Sequence, residues 1–160
     1  MQGFPHSYQA TADAVPDGDI PLTSNGLPAL RTASPAEFGG PGDRWSPETL
    51  LTGAVADCFI LTFRAVARAS KLRWTALHCE ITGTLDRVEK VTQFTGFDLI
   101  ARLDVPQGVN TELAERALEK AEHNCLVSSS LKGAVHLHPH VTTHAEQYVA
   151  SGLSDVASGL

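Results

Sequence analysis

In WSPETLLTGAVADCFILTF, residues 45–63, a helix start runs into a nearly all-apolar segment with a cysteine near its middle. Ser46 carries an N-cap side chain, Pro47 suits the first helical position where its missing N–H costs nothing, and Glu48 meets the positive helix end. The spacing predicts a helix to about Ser70. Apolar or small residues recur at Leu50, Leu51, Ala54, Val55, Cys58, Leu61, Ala65 and Ala69, and Phe59, Ile60, Phe63 and Val66 widen the stripe past half the circumference. Asp57, Arg64 and Arg68 leave only a narrow polar edge. A helix this apolar needs cover on more than one side, from its own sheet and from a second subunit. Whether Cys58 packs or reacts stays open on this stretch alone, because free cysteine is among the most buried residue types.

Upstream, residues 8–33 are cut by Gly and Pro into YQATADAV, DIPLT and LPALRTAS, which read as a small strand meander. SPAEFGGPGDRW, residues 34–45, is a loop without a period. Downstream, residues 74–86 alternate, with Leu77, Cys79, Ile81, Gly83 and Leu85 on one face and polar residues on the other, as in a half-buried strand. A second strand over 91–105 turns Phe97, Leu99, Ala101, Leu103 and Val105 inward, with DRVEK as the hairpin connection. Asn110 caps a helix, TELAERALEKAEH, that ends near Asn124; CLVSSSLKG reads as a short further helix and AVHLHPHV as a last strand. The remainder, AEQYVASGLSDVASGL, is a short helix or a frayed tail.

At 160 residues and 42% hydrophobic, the chain suits one domain over 1–160 that buries roughly two thirds of its unfolded surface. A formal net charge of -6, with no basic run or stripe, argues against a nucleic-acid partner. The first residues show no export signal and no apolar run approaches the roughly 18 residues of a membrane span, so a cytoplasmic protein is expected. Three cysteines do not make a disulfide scaffold, and in a reducing compartment a cysteine that matters is catalytic or metal-bound. Cys79 takes its inward turn in a strict alternation, which packing explains. Cys125 differs: with Asn124 as the cap of the short helix it falls in the first turn, where free N–H groups favour a thiolate, and His123 offers a proton partner. Glu48 and Cys58 are ten residues apart, about 15 Å on a straight helix, so they meet only if the helix kinks or Glu48 comes from a second copy. His136, His138 and His140 would share one strand face, but Pro139 is expected to interrupt that strand and no Cys-x-x-Cys accompanies it, so a solvated strand end is expected rather than a metal site.

FGGPGDRWSPETLLTGAVADCF followed by AEHNCLVSSSL resembles the OsmC/Ohr family of osmotically inducible and organic-hydroperoxide-resistance proteins. The similarity covers about residues 8–138, leaving 141–160 as a C-terminal tail. The resemblance implies an α+β fold, an intertwined homodimer with antiparallel sheets around long central helices. It implies a thiol peroxidase of oxidative stress defence that reduces organic hydroperoxides with Cys58 as nucleophile and Cys125 as resolving thiol. A dihydrolipoyl dithiol is the implied reductant, and no metal or organic cofactor is implied. Chemically, a thiolate attacks the distal peroxide oxygen and a second thiol condenses with the resulting sulfenic acid.

One departure changes the electrostatics. Family peroxidases carry an arginine in the early loop that pairs with the glutamate, whereas AVPDGDIPL offers Asp17 and Asp19. Arg31, Arg44 or Arg64 would have to substitute, and Arg44, in the glycine loop just before Glu48, is the best placed. The alternative is a non-catalytic dimeric binding module for an apolar small molecule or lipid.

Overall fold

The structure, a computed structural model, describes residues 3–145. It is α+β, with two helices and two three-stranded sheets. The meander is present as β1 (Thr11–Ala12), β2 (Ile20–Thr23) and β3 (Leu30–Thr32), antiparallel in that order. The glycine loop follows, with one 3-10 turn at Ala36–Phe38. Here Gly40 has no substitute, since a Cβ on it would sit 1.6 Å from the Ser34 carbonyl oxygen.

Helix α1 (Pro47–Ala69) starts where the sequence expects it. Thr49 N–H donates to Ser46 Oγ at 3.2 Å and Ser46 N–H to Thr49 Oγ1 at 2.8 Å, a reciprocal cap in which Thr replaces the usual Glu. β4 (Ala76–Val88) and β5 (Val91–Pro106) form a long antiparallel hairpin that turns on Glu89 and Lys90, both at positive φ. The strands therefore run further into DRVEK than the sequence suggests. A bulge leaves Thr95 unpaired between Gly96 and Phe94, which brings Phe94 and Phe97 into a stack at 5.0 Å over Gly83.

Asn110 Oδ1 accepts from Leu113 N–H and opens α2 (Thr111–His123). β6 (Ala134–His144) then pairs with β5 in parallel, so the larger sheet, in order β4-β5-β6, is mixed where an antiparallel sheet was expected. The reason is α2, which carries the chain back along the sheet before β6 begins. Pro139 does not interrupt β6, because this is an edge strand whose outer side needs no amide donor. The tail from residue 146 lies outside the described residues.

The core lies between α1, α2 and the inner face of β5. Phe59, Phe63, Leu99, Ala101, Leu103, Val105, Ala114, Leu118 and Ala121 are all buried in one cluster. Only one side of α1 is used: Val55, Phe59, Phe63 and Ala67 are buried, while Leu61 is 52% exposed. The expectation about apolar runs needs a correction of length. Over 18 residues α1 has a mean hydropathy of 1.7 and is long and apolar enough to cross a membrane, because its polar residues are spaced singly. In this fold the same helix packs on β4 and α2.

Leu118 has no exposed surface and touches both helices' core positions. Leu118→Ala is expected to lower unfolding free energy by about 2–5 kcal/mol, read as a lower denaturant midpoint at unchanged slope.

Candidate active site

The two cysteines separated by 67 positions meet. Cys58 is half-buried on α1, and Cys125 is fully buried just beyond α2, where its thiol reaches Cys58 as a hydrogen-bond donor. What brings them together is the packing of α2 on α1, with the turn 125–130 folded against the free side of α1. That turn is held by Ser129, whose N–H and hydroxyl both donate to the Cys125 carbonyl, at 3.0 and 2.9 Å.

The electrostatics separate the two thiols. Burial pushes Cys58 up, but the Val127 N–H, the Cys125 thiol, the Leu126 N–H and the Thr62 hydroxyl favour its anion and bring it below the ordinary thiol value. Burial pushes Cys125 up as well. Ser128 offers it two hydrogen bonds, but donation to Cys58 and the charge developing there hold its proton on, and the result is raised. Of the two thiols, Cys58 is the one whose anion is favoured and Cys125 the one that holds its proton more firmly. Cys79 faces apolar neighbours with nothing to support an anion, and burial pushes it up to about 11. That agrees with a packing role.

The amides at the start of the short turn do act on a cysteine, but not on the one expected. Asn124 ends α2, its Nδ2 donating to the Lys120 carbonyl at 2.8 Å, and the Cys125 N–H is spent on Glu122. The free amides are one and two residues further on and point at Cys58. His123 is exposed to solvent, and the groups that act on Cys125 are Ser128 and Cys58. Sequence reasoning missed Thr62 and Ser128, although each stands at a helical spacing from its cysteine, four and three residues on.

Glu48 and Arg44 do not join the thiols within this chain. α1 runs unbroken from Pro47 to Ala69, which keeps Glu48 about 15 Å along the axis from Cys58. Glu48 Oε2 is buried without a hydrogen-bond partner. It borders a groove of about 840 Å³ whose apolar wall includes Phe38, Ile81, Leu85 and Phe94. The expectation that Arg44 reaches this carboxylate is corrected: its Nε donates to Asp19 at 3.0 Å and its Nη1 pairs with Asp43 at 2.9 Å. Arg31 also leans on Asp19. The acidic early loop thus draws the nearby cations to itself, and the Arg44 hydrogen bond holds Asp19 below the usual carboxylate range. On β6 the imidazoles of His136, His138 and His140 stand exposed on one face, with His138 against Asp98 at 3.2 Å. Among the described residues no three metal-binding side chains converge.

The family model for OsmC-like proteins matches residues 40–140, which include the second half of the glycine loop, α1 and both thiols. The chain belongs to the OsmC-like family. It is 28% identical over 123 residues to YmaD of Bacillus subtilis, covering 74% of this chain and 81% of that protein. An organic hydroperoxide resistance protein from Legionella pneumophila shares 28% identity and superposes with a TM-score of 0.69 over 88% of this chain and 99% of its own. An OsmC-like protein of unknown function from Vibrio cholerae, 14% identical, has the same fold with a TM-score of 0.74 over 84% and 99%. The OsmC-like fold of these structures matches the architecture described above.

Iodoacetamide titration with peptide mapping is expected to label Cys58 at the lowest pH and Cys79 only as pH nears about 11. Since the groups that lower Cys58 come from 125–127 and Thr62, Arg44→Ala should leave the Cys58 midpoint unchanged. A rise of the midpoint in that variant would return Arg44 to the site.

Proposed function

We propose that this OsmC-like protein is a thiol peroxidase that reduces organic hydroperoxides in stress defence. The observation that carries the reading is the asymmetric thiol pair: Cys58 and Cys125 lie in hydrogen-bond contact, with Cys58 shifted toward its anion and Cys125 away from it. The Cys58 thiolate attacks the distal peroxide oxygen, the O–O bond breaks, and the alkoxide leaves and takes up a proton as the alcohol. Cys58 is then a sulfenic acid. Cys125 attacks its sulfur, water departs, and a Cys58–Cys125 disulfide remains. A dithiol of the dihydrolipoyl class returns two electrons and two protons by thiol–disulfide exchange. A cytoplasmic setting keeps both thiols reduced between turnovers. The similarity to the Legionella hydroperoxide resistance protein supports this reading.

The site is completed by a second copy. Gly53 lies midway between Glu48 and Cys58, so two α1 helices crossing antiparallel near Gly53 bring Glu48 of one level with Cys58 of the other. The missing side chain of Gly53 favours that approach, the unused half of α1 offers the contact surface, and the unpartnered Glu48 Oε2 calls for a donor from outside its own chain. The groove beside Glu48 then supplies an apolar wall for the organic group of the peroxide. A binding module without chemistry would explain the groove and leave the paired thiols idle.

With cumene hydroperoxide and dihydrolipoamide, the wild-type chain is expected to turn over, Cys58→Ser to be inactive, and Cys125→Ser to stop after one equivalent with sulfenic acid at Cys58. Turnover in Cys58→Ser, or none in the wild type, would defeat the reading. Sedimentation at micromolar concentration is expected to show a dimer, and Leu61→Glu, on the uncovered side of α1, to weaken it; a monomeric wild type would remove the shared site.

A further inference from the structure

We propose that Ser128 is a catalytic residue of the second step, the one that readies Cys125 to attack an oxidised Cys58; this rests on the peroxidase reading above. Three serines in succession form the short turn Ser128–Ser130, and they are not used alike. The hydroxyls of Ser129 and Ser130 are spent on the backbone, each donating to the carbonyl four residues earlier, Cys125 at 2.9 Å and Leu126 at 2.8 Å. Ser128 stands three residues after Cys125, a spacing that puts two side chains on one face of a helical turn, and its hydroxyl and N–H both reach the Cys125 sulfur. The turn thus splits its donors. The Leu126 and Val127 amides serve Cys58, while the Ser128 hydroxyl and amide serve Cys125.

Cys125 is fully buried, so no solvent supports an anion there, and its backbone is fixed by the Glu122 carbonyl, which accepts its N–H at 3.1 Å, and by Ser129. In the reduced pair the Ser128 donors are opposed. The Cys125 thiol donates to Cys58, and an anion on Cys125 would face a second anion on α1. Peroxide removes that opposition. Once the Cys58 thiolate has taken the distal oxygen it is a neutral sulfenic acid, and what remains at Cys125 is the two donors of Ser128 against burial. In the attack that follows, the S–S bond forms, the S–O bond of Cys58 breaks, and the hydroxyl leaves with the Cys125 proton as water. Ser128 is not consumed: its hydroxyl donates to the Cys125 sulfur while the proton departs. Charge on Cys58 therefore orders the two steps, since Cys125 keeps its proton until there is a sulfenic acid to attack.

Two measurements test this, and the second needs no peroxidase activity. Single-turnover oxidation of the Cys79→Ser chain by cumene hydroperoxide, with dimedone trapping and mass spectrometry, follows the sulfenic acid as it forms and as it is lost to the disulfide. Ser128→Ala is expected to let the sulfenic acid accumulate, slowing its loss about tenfold or more at neutral pH. The deficit should close as pH rises, and Ser128→Thr, which keeps the hydroxyl, should restore the rate. In Cys58→Ala/Cys79→Ser, where Cys125 is the one remaining thiol, the ultraviolet absorbance of the thiolate is expected to appear at a higher pH when Ser128→Ala is added and to return with Ser128→Thr. An absorbance midpoint unmoved by Ser128→Ala, or a sulfenic acid lost at the wild-type rate, overturns the proposal. No sulfenic acid in the Cys79→Ser chain would instead sink the peroxidase reading itself, and the proposal with it, even where the absorbance midpoint moves.

Discussion

Two backbone amides aim at one sulfur. The N–H groups of Val127 and Leu126 face the Cys58 sulfur and, together with the Cys125 thiol, oppose the burial that favours a proton on a cysteine in the middle of an apolar helix. The rest of the fold positions that contact. α1 must be long enough to present Cys58 about three turns past the glycine loop, α2 must lie against α1, and the chain must leave α2 through a turn tight enough to free its amides. Ser129 closes that turn on the Cys125 carbonyl, and Asn124 ends α2 one residue earlier.

Much of this was legible in the sequence, for physical reasons. Strict alternation in 76–86 and 97–105 marks half-buried strands, and Ser46-Pro47 and Asn110 mark helix starts because their side chains meet known backbone needs. The parallel direction of β6 was not legible, since one apolar alternation serves either direction and only the path of α2 decides it. Pro139 misled because its effect depends on whether the strand is an edge. At the site, the family resemblance pointed to the two cysteines that meet, while the owner of the amides was not legible. A first-turn position promised free N–H groups to Cys125, but a helix terminus serves whichever sulfur lies in front of it, and that is Cys58.

The cations show the same limit. Nearness along the chain points Arg44 at Glu48, whereas in space it pairs with its neighbour Asp43 and with Asp19, twenty-five residues away, brought alongside by the meander and the glycine loop. An acidic early loop does more than omit an arginine: it competes for those that remain. The result is a carboxylate, Glu48, whose buried oxygen has no hydrogen-bond partner among the described residues.

Replacing a guanidinium by amides changes how the thiolate is supported. A side-chain cation acts over several ångströms and is weakened by salt and by side-chain motion, whereas an amide dipole acts only in contact and only in one direction. Support of the second kind is therefore as durable as the turn that aims it. It also ends with the chemistry. In the proposed mechanism, a Cys58 bonded to Cys125 carries no charge for Val127 and Leu126 to stabilise, and that stabilisation would return only when a reductant restored the thiolate. On that mechanism the amides favour the reduced pair over the disulfide, so a Cys58–Cys125 bond would be easier to reduce than one formed between two ordinary thiols in the same geometry.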